Sequence, residues 1–350
     1  MSDPLRRLAP VVRLAPAKVN LTLAVVGRRP DGYHALHSVF VPLELADRLS
    51  LAPAPGGRDT LHVAGPDGAP APDVGPPDRN LVIRAIARTR EAVGLGWAAA
   101  LPAGPAPALA ARLEKRIPVA AGLAGGSSDA AAAIAGALEM WGAELPLEDR
   151  LRIGAAVGSD VPFFLAADPP AAALVEGRGE VVTPLRGIVG GPPAGVLLVT
   201  PRIAVGTPEV FAAYAAGTRP AGAASRTTSE HLAAELARGL APRALVDRAG
   251  VLAAANDLLP ATLALFPALV PFRRALMRLL GRPVGQSGSG PTCVVLYPSL
   301  DEAVAAGATV LEAVGSGRLP PTGEGAPAVV ATTIGAGGPA EAGPVEEEGR

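Results

Sequence analysis

The sequence predicts a two-domain α+β protein, and three observations carry that expectation. The chain has 350 residues, more than one compact core of ordinary size takes up. Apolar residues alternate with polar ones from Ala17 to Val25, as in a strand, and run almost unbroken from Ser127 to Trp141, as in a buried helix. Apolar residues make up 49% and aromatic ones only 3%, so the cores must be closely packed Ala, Val and Leu.

Composition also narrows the partners. A formal net charge of −1 and a pI near 6.5 argue against nucleic acid, which needs a basic stripe. The one cysteine, Cys293, sits in an apolar run and reads as a buried strand residue in a reducing compartment. Met1 to Pro16 carries Arg6, Arg7 and Arg13 without an apolar stretch of secretory length. The longest uncharged run, Ala92 to Ala111, holds three prolines and three glycines, so no membrane helix is expected. The expectation is a soluble cytoplasmic protein.

The elements follow in order. In the strand Ala17 to Val25, Lys18, Asn20 and Thr22 share the polar face, which makes it half-buried. Only two lysines, Lys18 and Lys115, stand against 29 arginines. A compact ammonium is not interchangeable with a guanidinium where it must approach a reacting oxygen, although chance retention is the competing reading. Lys115 flanks a strand and keeps that plain reading. Pro30-Asp31-Gly32 is a turn that presents Tyr33 and His34, suited to a heterocycle or simply flanking a hairpin. His37 and His62 lack Cys, Asp or Glu at ligand spacing, so no histidine metal site is proposed. Val39 to Leu51 reads as a strand and Ala52 to Pro77 as a variable hairpin region. Asp78 or Asn80 caps a helix to Val93 whose stripe is Leu81, Ile83, Ala85 and Ile86. Pro102 to Pro107 is a loop, and Ala108 to Ile117 is a strand.

That strand delivers the chain to Pro118-Val119-Ala120-Ala121-Gly122-Leu123-Ala124-Gly125-Gly126-Ser127-Ser128. Gly122, Gly125 and Gly126 permit positive φ, and Ser127, Ser128 and Asp129 are good N-caps for the helix to Trp141. Free N–H groups and the helix dipole there suit a phosphate. The pattern is neither a P-loop nor a dinucleotide fingerprint, and a simple N-terminal cap is the alternative.

A helix over Pro146 to Val157 stops at Gly158, after which Asp160 is either a cap before Pro162 or a functional carboxylate. Ala172 to Pro184 reads as a hairpin around Gly177-Arg178-Gly179, and Gly187 to Pro193 as a linker. The second half begins with a buried strand, Gly195 to Thr200, and a helix from Thr207 with Pro208 in its first turn. Pro220 to Thr228 is read as a loose loop. Apolar helices follow around Asn256-Asp257 and over Phe272 to Leu280, the latter stopped by Gly281. Gln286 to Thr292 leads into a strand, Cys293 to Tyr297, and Ser299 with Glu302 forms a capping box. Ala328 to Thr333 is a last strand, and Gly337 to Arg350 an acidic tail left disordered.

Four separated stretches together resemble the GHMP kinase superfamily. They are Pro16 to Leu21 with Gly27-Arg28-Arg29-Pro30-Asp31-Gly32-Tyr33-His34, Pro118 to Ala131, Gly158-Ser159-Asp160-Val161-Pro162-Phe163-Phe164, and Ser287-Gly288-Ser289-Gly290-Pro291-Thr292. The Gly-Ser loop alone indicates only the superfamily. The Asp-Gly-Tyr-His turn narrows the resemblance to the branch that phosphorylates a cytidine-diphosphate derivative of methylerythritol in the non-mevalonate isoprenoid pathway.

The resemblance implies an N-terminal domain over 1–187 with a left-handed β-α-β unit, a ferredoxin-like C-terminal domain over 188–336, and a tail over 337–350. It implies ATP with its phosphates on Pro118 to Ser128, and Lys18 and Asp160 flanking the acceptor 2-hydroxyl. Tyr33 and Phe211 would sandwich the cytosine, His34 would bond its edge, and Asn20 and Thr207 would hold the rest of the substrate. Mg²⁺ would accompany ATP, with Ser128 as a candidate helper and no dedicated metal cage. Ala121 and Ala124 stand where relatives often have Gly, and Ser159 where Ala is frequent. The expected partners are the two small-molecule substrates, for a monomer or homodimer. Rival readings are a GHMP kinase for another small alcohol, such as homoserine or mevalonate, and a non-catalytic nucleotide-binding protein on the same fold.

Overall fold

In the computed structural model, residues 10–76, 79–94, 106–217 and 223–335 are described. The expected Asp78 cap, most of the Pro102 to Pro107 loop and the tail lie outside them. The first half runs β1 (Val11–Arg28), β2 (His34–Pro53), β3 (Thr60–Ala64), α1 (Leu81–Ala92), β4 (Leu109–Glu114), α2 (Gly125–Trp141), α3 (Leu147–Val157), α4 (Val161–Leu165), β5 (Ala173–Gly177) and β6 (Val181–Pro184). These strands make one six-stranded sheet around β2. β1 runs antiparallel along β2, which also pairs with β4 through Arg48 to Pro53 and with β5 through Leu36 to Phe40.

β3 corrects the expectation of a hairpin in the Pro/Gly-rich stretch. It pairs parallel with β4 rather than folding back on β2, so α1 is the crossover between them. Asn80 supplies the α1 cap, its side chain accepting from Val82 N–H at 2.9 Å. The buried face of α1 is Val82, Ala85, Ile86 and Thr89; Leu81 and Ile83 are only partly covered.

The second half contributes β7 (Gly195–Thr200), α5 (Thr207–Ala216), α6 (Ala223–Arg238), α7 (Pro242–Asp247), α8 (Ala249–Ala254), α9 (Leu259–Leu265), α10 (Leu269–Leu280), β8 (Gly285–Gln286), β9 (Cys293–Tyr297), α11 (Leu300–Gly315) and β10 (Ala328–Thr333). Its strands form an antiparallel sheet in the order β10-β7-β9-β8. Counted from β7, that is 4-1-3-2, the order of a ferredoxin-like sheet, with α11 joining β9 to β10. Ser299 caps α11 by accepting from Glu302 N–H at 3.2 Å.

One more expectation fails here for an identifiable reason. The loop read over Pro220 to Thr228 is helical from Ala223 onward, because α6 buries Ser225, Ser229, Leu232, Ala233 and Leu236 at helical spacing and two of these are serines. The Gly187 to Pro193 linker is stitched to the end of α6 by Gly187 N–H to Leu236 O and Val189 N–H to Leu240 O, both 2.9 Å.

One core lies between the first sheet and α1 to α4, with Leu49, Leu113, Ile134 and Phe163 at its centre. A second joins the two sheets, where Val19, Val41 and Leu43 meet Val196, Leu198, Leu232 and Val294. The third, with buried Cys293, packs under α10 and α11. β1 is therefore covered on both faces, and its polar residues are inside as well: Lys18, Asn20 and Thr22 are all buried. The alternation was real, but the polar face meets a cleft rather than bulk water.

Lys115 is more than a strand-flanking residue. Its buried ammonium bonds Asp47 of β2 and, at 2.7 Å, Asp129 of α2. Asp47 also accepts the N–H groups of Arg116 and Ile117 at 2.5 and 2.8 Å. Burial pushes the Asp129 carboxyl up to about 8; Lys115 pulls it down and Asp47 pushes it up. This cluster ties the first turns of α2 to the sheet.

Removing the ammonium leaves the buried Asp47 carboxylate without its counter-charge. Lys115→Met should cost about 3–5 kcal/mol. Asp129→Asn mimics the neutral acid and should cost within about 1 kcal/mol. Urea unfolding measures both, and equal losses would refute this account of the cluster.

Candidate active site

The loop from Pro118 to Ala124 is shaped by three left-handed residues, Ala120 (φ 54°), Gly122 (φ 76°) and Ala124 (φ 55°). Gly122 is required by contact as well as by φ, since a Cβ there would lie 2.4 Å from the Ser287 carbonyl oxygen. The alanines adopt a conformation that disfavours a Cβ. The left-handed turn at Ala124 starts α2 at Gly125, two residues before the expected serine caps. Ser127, Ser128 and Asp129 are therefore inside the helix, and no side chain caps it. The N–H groups of Gly125, Gly126 and Ser127 are left without an acceptor among the described residues, a ready site for an anion.

Lys18 sits beside this loop, its own backbone N–H donating to Leu123 O at 3.1 Å. Register shifts in the β1–β2 ladder on either side, between Pro16 and Lys18 and between Asn20 and Thr22, re-aim this stretch of strand. The Lys18 ammonium donates to Asn20 Oδ1 at 2.7 Å, lies 3.3 Å from Asp160 Oδ2 and stands 4.3 Å over the Phe40 ring. Asp160 occupies the N-cap position of α4, yet its side chain makes no cap bond. Its carboxylate is turned to Lys18 instead.

The Ser287 to Thr292 stretch, on the other sheet, supports the loop from behind. Ser287 Oγ donates to Gly122 O at 2.8 Å and accepts the Asn20 N–H at 3.4 Å. Asn256 holds that turn by donating to Gln286 O and Gly288 O at 3.0 and 2.9 Å.

At the other end of the cleft the Pro30-Asp31-Gly32 turn forms as expected, with Gly32 at φ 87° and Asp31 accepting Tyr33 N–H at 3.1 Å. Tyr33 is exposed, with the Arg178 guanidinium 5.5 Å from its ring. His34 stacks on Phe211 at 5.2 Å, so one face of Phe211 is already covered. Burial, with the positive charge of Arg28 nearby, holds the His34 pKa below the ordinary imidazole value. Thr207 Oγ1 is 3.0 Å from Ser289 Oγ.

One cleft of about 970 Å³ gathers these parts. Lys18, Asn20, Tyr33, His34, Pro118 to Ser127, Asp160, Thr207 and Phe211 all line it. Ser128 does not; it is buried and its hydroxyl has no hydrogen-bond partner, so it is not placed to hold a metal ion in the cleft. The cleft is also lined by Lys115, Asp129, Phe40, Arg28 and Arg178, which sequence reasoning did not assign. For Lys115 the signal existed: the scarcity of lysine that singled out Lys18 applied equally to it. Among the described residues no group of three or more His, Cys, Asp or Glu could hold a metal ion, and no helix is long and apolar enough to cross a membrane.

The arrangement is that of a group-transfer site, with an anion cradle, an ammonium–carboxylate pair beside it and an aromatic end. Comparison with known proteins agrees. Residues 80–168 match the GHMP kinases N terminal domain. The chain is 39% identical over 299 residues to 4-diphosphocytidyl-2-C-methyl-D-erythritol kinase of Paramagnetospirillum magneticum, covering 84% of this chain and 91% of that one. It is 36% identical to the protein of the same name from Pelotomaculum thermopropionicum, with the same coverages. Among solved structures, a 4-(cytidine 5'-diphospho)-2C-methyl-D-erythritol kinase aligns with a TM-score of 0.63 at 33% identity, over 93% of this chain and all of that one. A homoserine kinase from Cytophaga hutchinsonii has the same TM-score at 16% identity, over 94% of this chain and 96% of that one, which is a likeness of fold alone.

Gly126 faces the cleft with only Leu81 Cδ1, at 3.7 Å, near its missing Cβ, whereas a Cβ on Gly125 would press on Ile117 at 3.0 Å. Gly126→Val should therefore fold yet lose affinity for a nucleoside triphosphate by about tenfold or more, the scale of one lost charge-assisted hydrogen bond. Calorimetric titration with unchanged affinity in the folded variant would show that the triphosphate does not lie on this loop.

Proposed function

Because the chain belongs to the 4-diphosphocytidyl-2-C-methyl-D-erythritol kinase family, we propose that it transfers the γ-phosphoryl group of ATP to the 2-hydroxyl of 4-diphosphocytidyl-2-C-methyl-D-erythritol. The products are the 2-phosphate and ADP, in isoprenoid precursor synthesis. The observation that carries this reading is the 3.3 Å approach of Lys18 to Asp160 next to the uncapped N-terminus of α2. On this reading the domains divide between residues 187 and 188, as the chain leaves the six-stranded sheet for the four-stranded one.

Phosphoryl transfer needs mainly positioning and neutralisation of charge. The N–H groups of Gly125, Gly126 and Ser127 hold the phosphates, Asp160 takes the proton of the acceptor hydroxyl, and Lys18 stabilises charge on the group in flight. Mg²⁺ keeps most of its waters and takes ligands from phosphates and one or two carboxylates. Asp160 is already engaged by the Lys18 ammonium and the acceptor proton, so the ion would be carried by the phosphates and its own waters, and would add neutralisation of phosphate charge.

At the far end, Tyr33 and the free face of Phe211 offer stacking surfaces for the cytosine. His34, neutral at physiological pH, can bond its edge, while Asn20 and Thr207 hold the polar remainder. A kinase for a small alcohol without a base would leave this aromatic end unused.

The reaction itself is tested by coupled ADP release with the cytidine substrate beside bare methylerythritol phosphate; turnover of neither would sink the assignment. Asp160→Asn should lower kcat by about 10²–10⁴ while both substrates still bind. Lys18→Arg should be comparably impaired, because a planar fork cannot replace a compact donor. Activity of either within about threefold of the original, far below that range, would remove the role given to that residue.

The lowered His34 pKa sets a pH window. The ring is neutral above its lowered pKa and charges below it, so affinity for the cytidine substrate should be highest at neutral and mildly alkaline pH and fall in acid, with a midpoint below the ordinary imidazole value of about 6.5. His34→Asn should abolish that acid fall. A loss of affinity already centred above pH 6.5 would count against a neutral His34 at the base.

A further inference from the structure

Ser38 of β2 is fully buried and does not line the cleft, yet it ends a hydrogen-bond chain that begins at the Lys18 ammonium. We propose that Ser38 is a positioning residue for phosphoryl transfer, fixing the Asn20 amide and through it the place of the Lys18 ammonium. The inference rests on the catalytic reading of Lys18.

The direction of every bond in the chain is forced. The Thr22 carbonyl oxygen can only accept, so the Ser38 hydroxyl donates its one proton there. Toward Asn20, Ser38 Oγ is then an acceptor, and it takes the amide Nδ2–H at 3.0 Å. The amide must therefore turn Oδ1 the other way, toward Lys18, whose ammonium can only donate and does so at 2.7 Å. Asn20 is itself buried, so without Ser38 its amide N–H would lose its partner inside the protein.

The anchor is itself held firm. Thr22 Oγ1 accepts Val39 N–H at 3.0 Å and donates to Ser229 Oγ at 2.9 Å, and that hydroxyl lies 2.9 Å from His37 Nδ1. Ser38 lies next to Val39 on β2, just beyond the register shift between Asn20 and Thr22.

Asn20 Oδ1 and Asp160 Oδ2 both draw on Lys18, and the shorter contact is to the amide, at 2.7 Å against 3.3 Å. An amide held by Ser38 fixes where the ammonium stands between Asn20 and Asp160, and so where it meets the group in flight. A loosened amide lets the ammonium shift and misplaces it for the transfer.

The test compares Ser38→Ala, Asn20→Ala and the double variant, with Lys18→Ala as control of the premise. Ser38→Ala should lower kcat about tenfold, the worth of one such buried bond, with the KM values of ATP and the cytidine substrate nearly unchanged. Since Ser38 acts through Asn20, the double variant should match Asn20→Ala within about twofold, the tolerance of such a cycle. Ser38→Cys, which keeps the size and has a weak donor, should show the same kcat loss should the alanine variant fold poorly. The proposal is overturned by an unchanged kcat in either folded Ser38 variant, by losses that multiply in the double variant, or by failure of both Ser38 variants to fold. Full activity in Lys18→Ala would instead remove the catalytic premise, and the proposal with it.

Discussion

A lysine ammonium taken out of water must be repaid by partners that stay in place, and the Lys18 ammonium is buried. Much of the site follows from that requirement. Asn20, two residues on along the same strand, supplies a neutral acceptor; α4 begins where it does and brings Asp160 alongside; Phe40, from the neighbouring strand, covers the charge with a ring face. The register shifts in the β1–β2 ladder look irregular as pairing and purposeful as aim.

Neither sheet could make this site alone. The anion cradle grows out of β4 and α2, but the turn that presses on Gly122 comes from between β8 and β9, and Phe211 and Thr207 come from α5. The apolar cluster shared by Val19, Val41, Val196 and Val294 holds the sheets in register with one another. The absence of a side chain at Gly122 is thus a condition on how the two halves meet, as much as on the shape of the loop.

What could be read in the sequence was what depends on local chemistry. Pro30-Asp31-Gly32 has the residues its turn demands, Gly281 ends α10 in the left-handed region, and Ser299 caps α11. The anion loop was legible as a loop, but not its dihedrals. Ala124 takes a left-handed conformation that its residue type does not announce, and this puts the start of α2 ahead of the serines that looked like caps. The alternation of β1 marks two different faces without saying whether the polar one meets solvent or a cleft. α6 was missed at its start because Ser225 and Ser229, loop residues by propensity, are its buried positions. Lys115 escaped because its partners, Asp47 and Asp129, are distant in sequence and adjacent only once α2 lies on the sheet.

Both lysines of the chain are interior, one beside the anion cradle and the other beneath it. The positive charge of the exterior is therefore carried by arginine, and no side-chain amine meets solvent freely. Amine-directed chemistry, whether acetyl transfer, glycation or coupling to an activated ester, finds no lysine on the outside and reaches one only through the cleft. Among its side chains, such reagents would report on the openness and filling of that cleft.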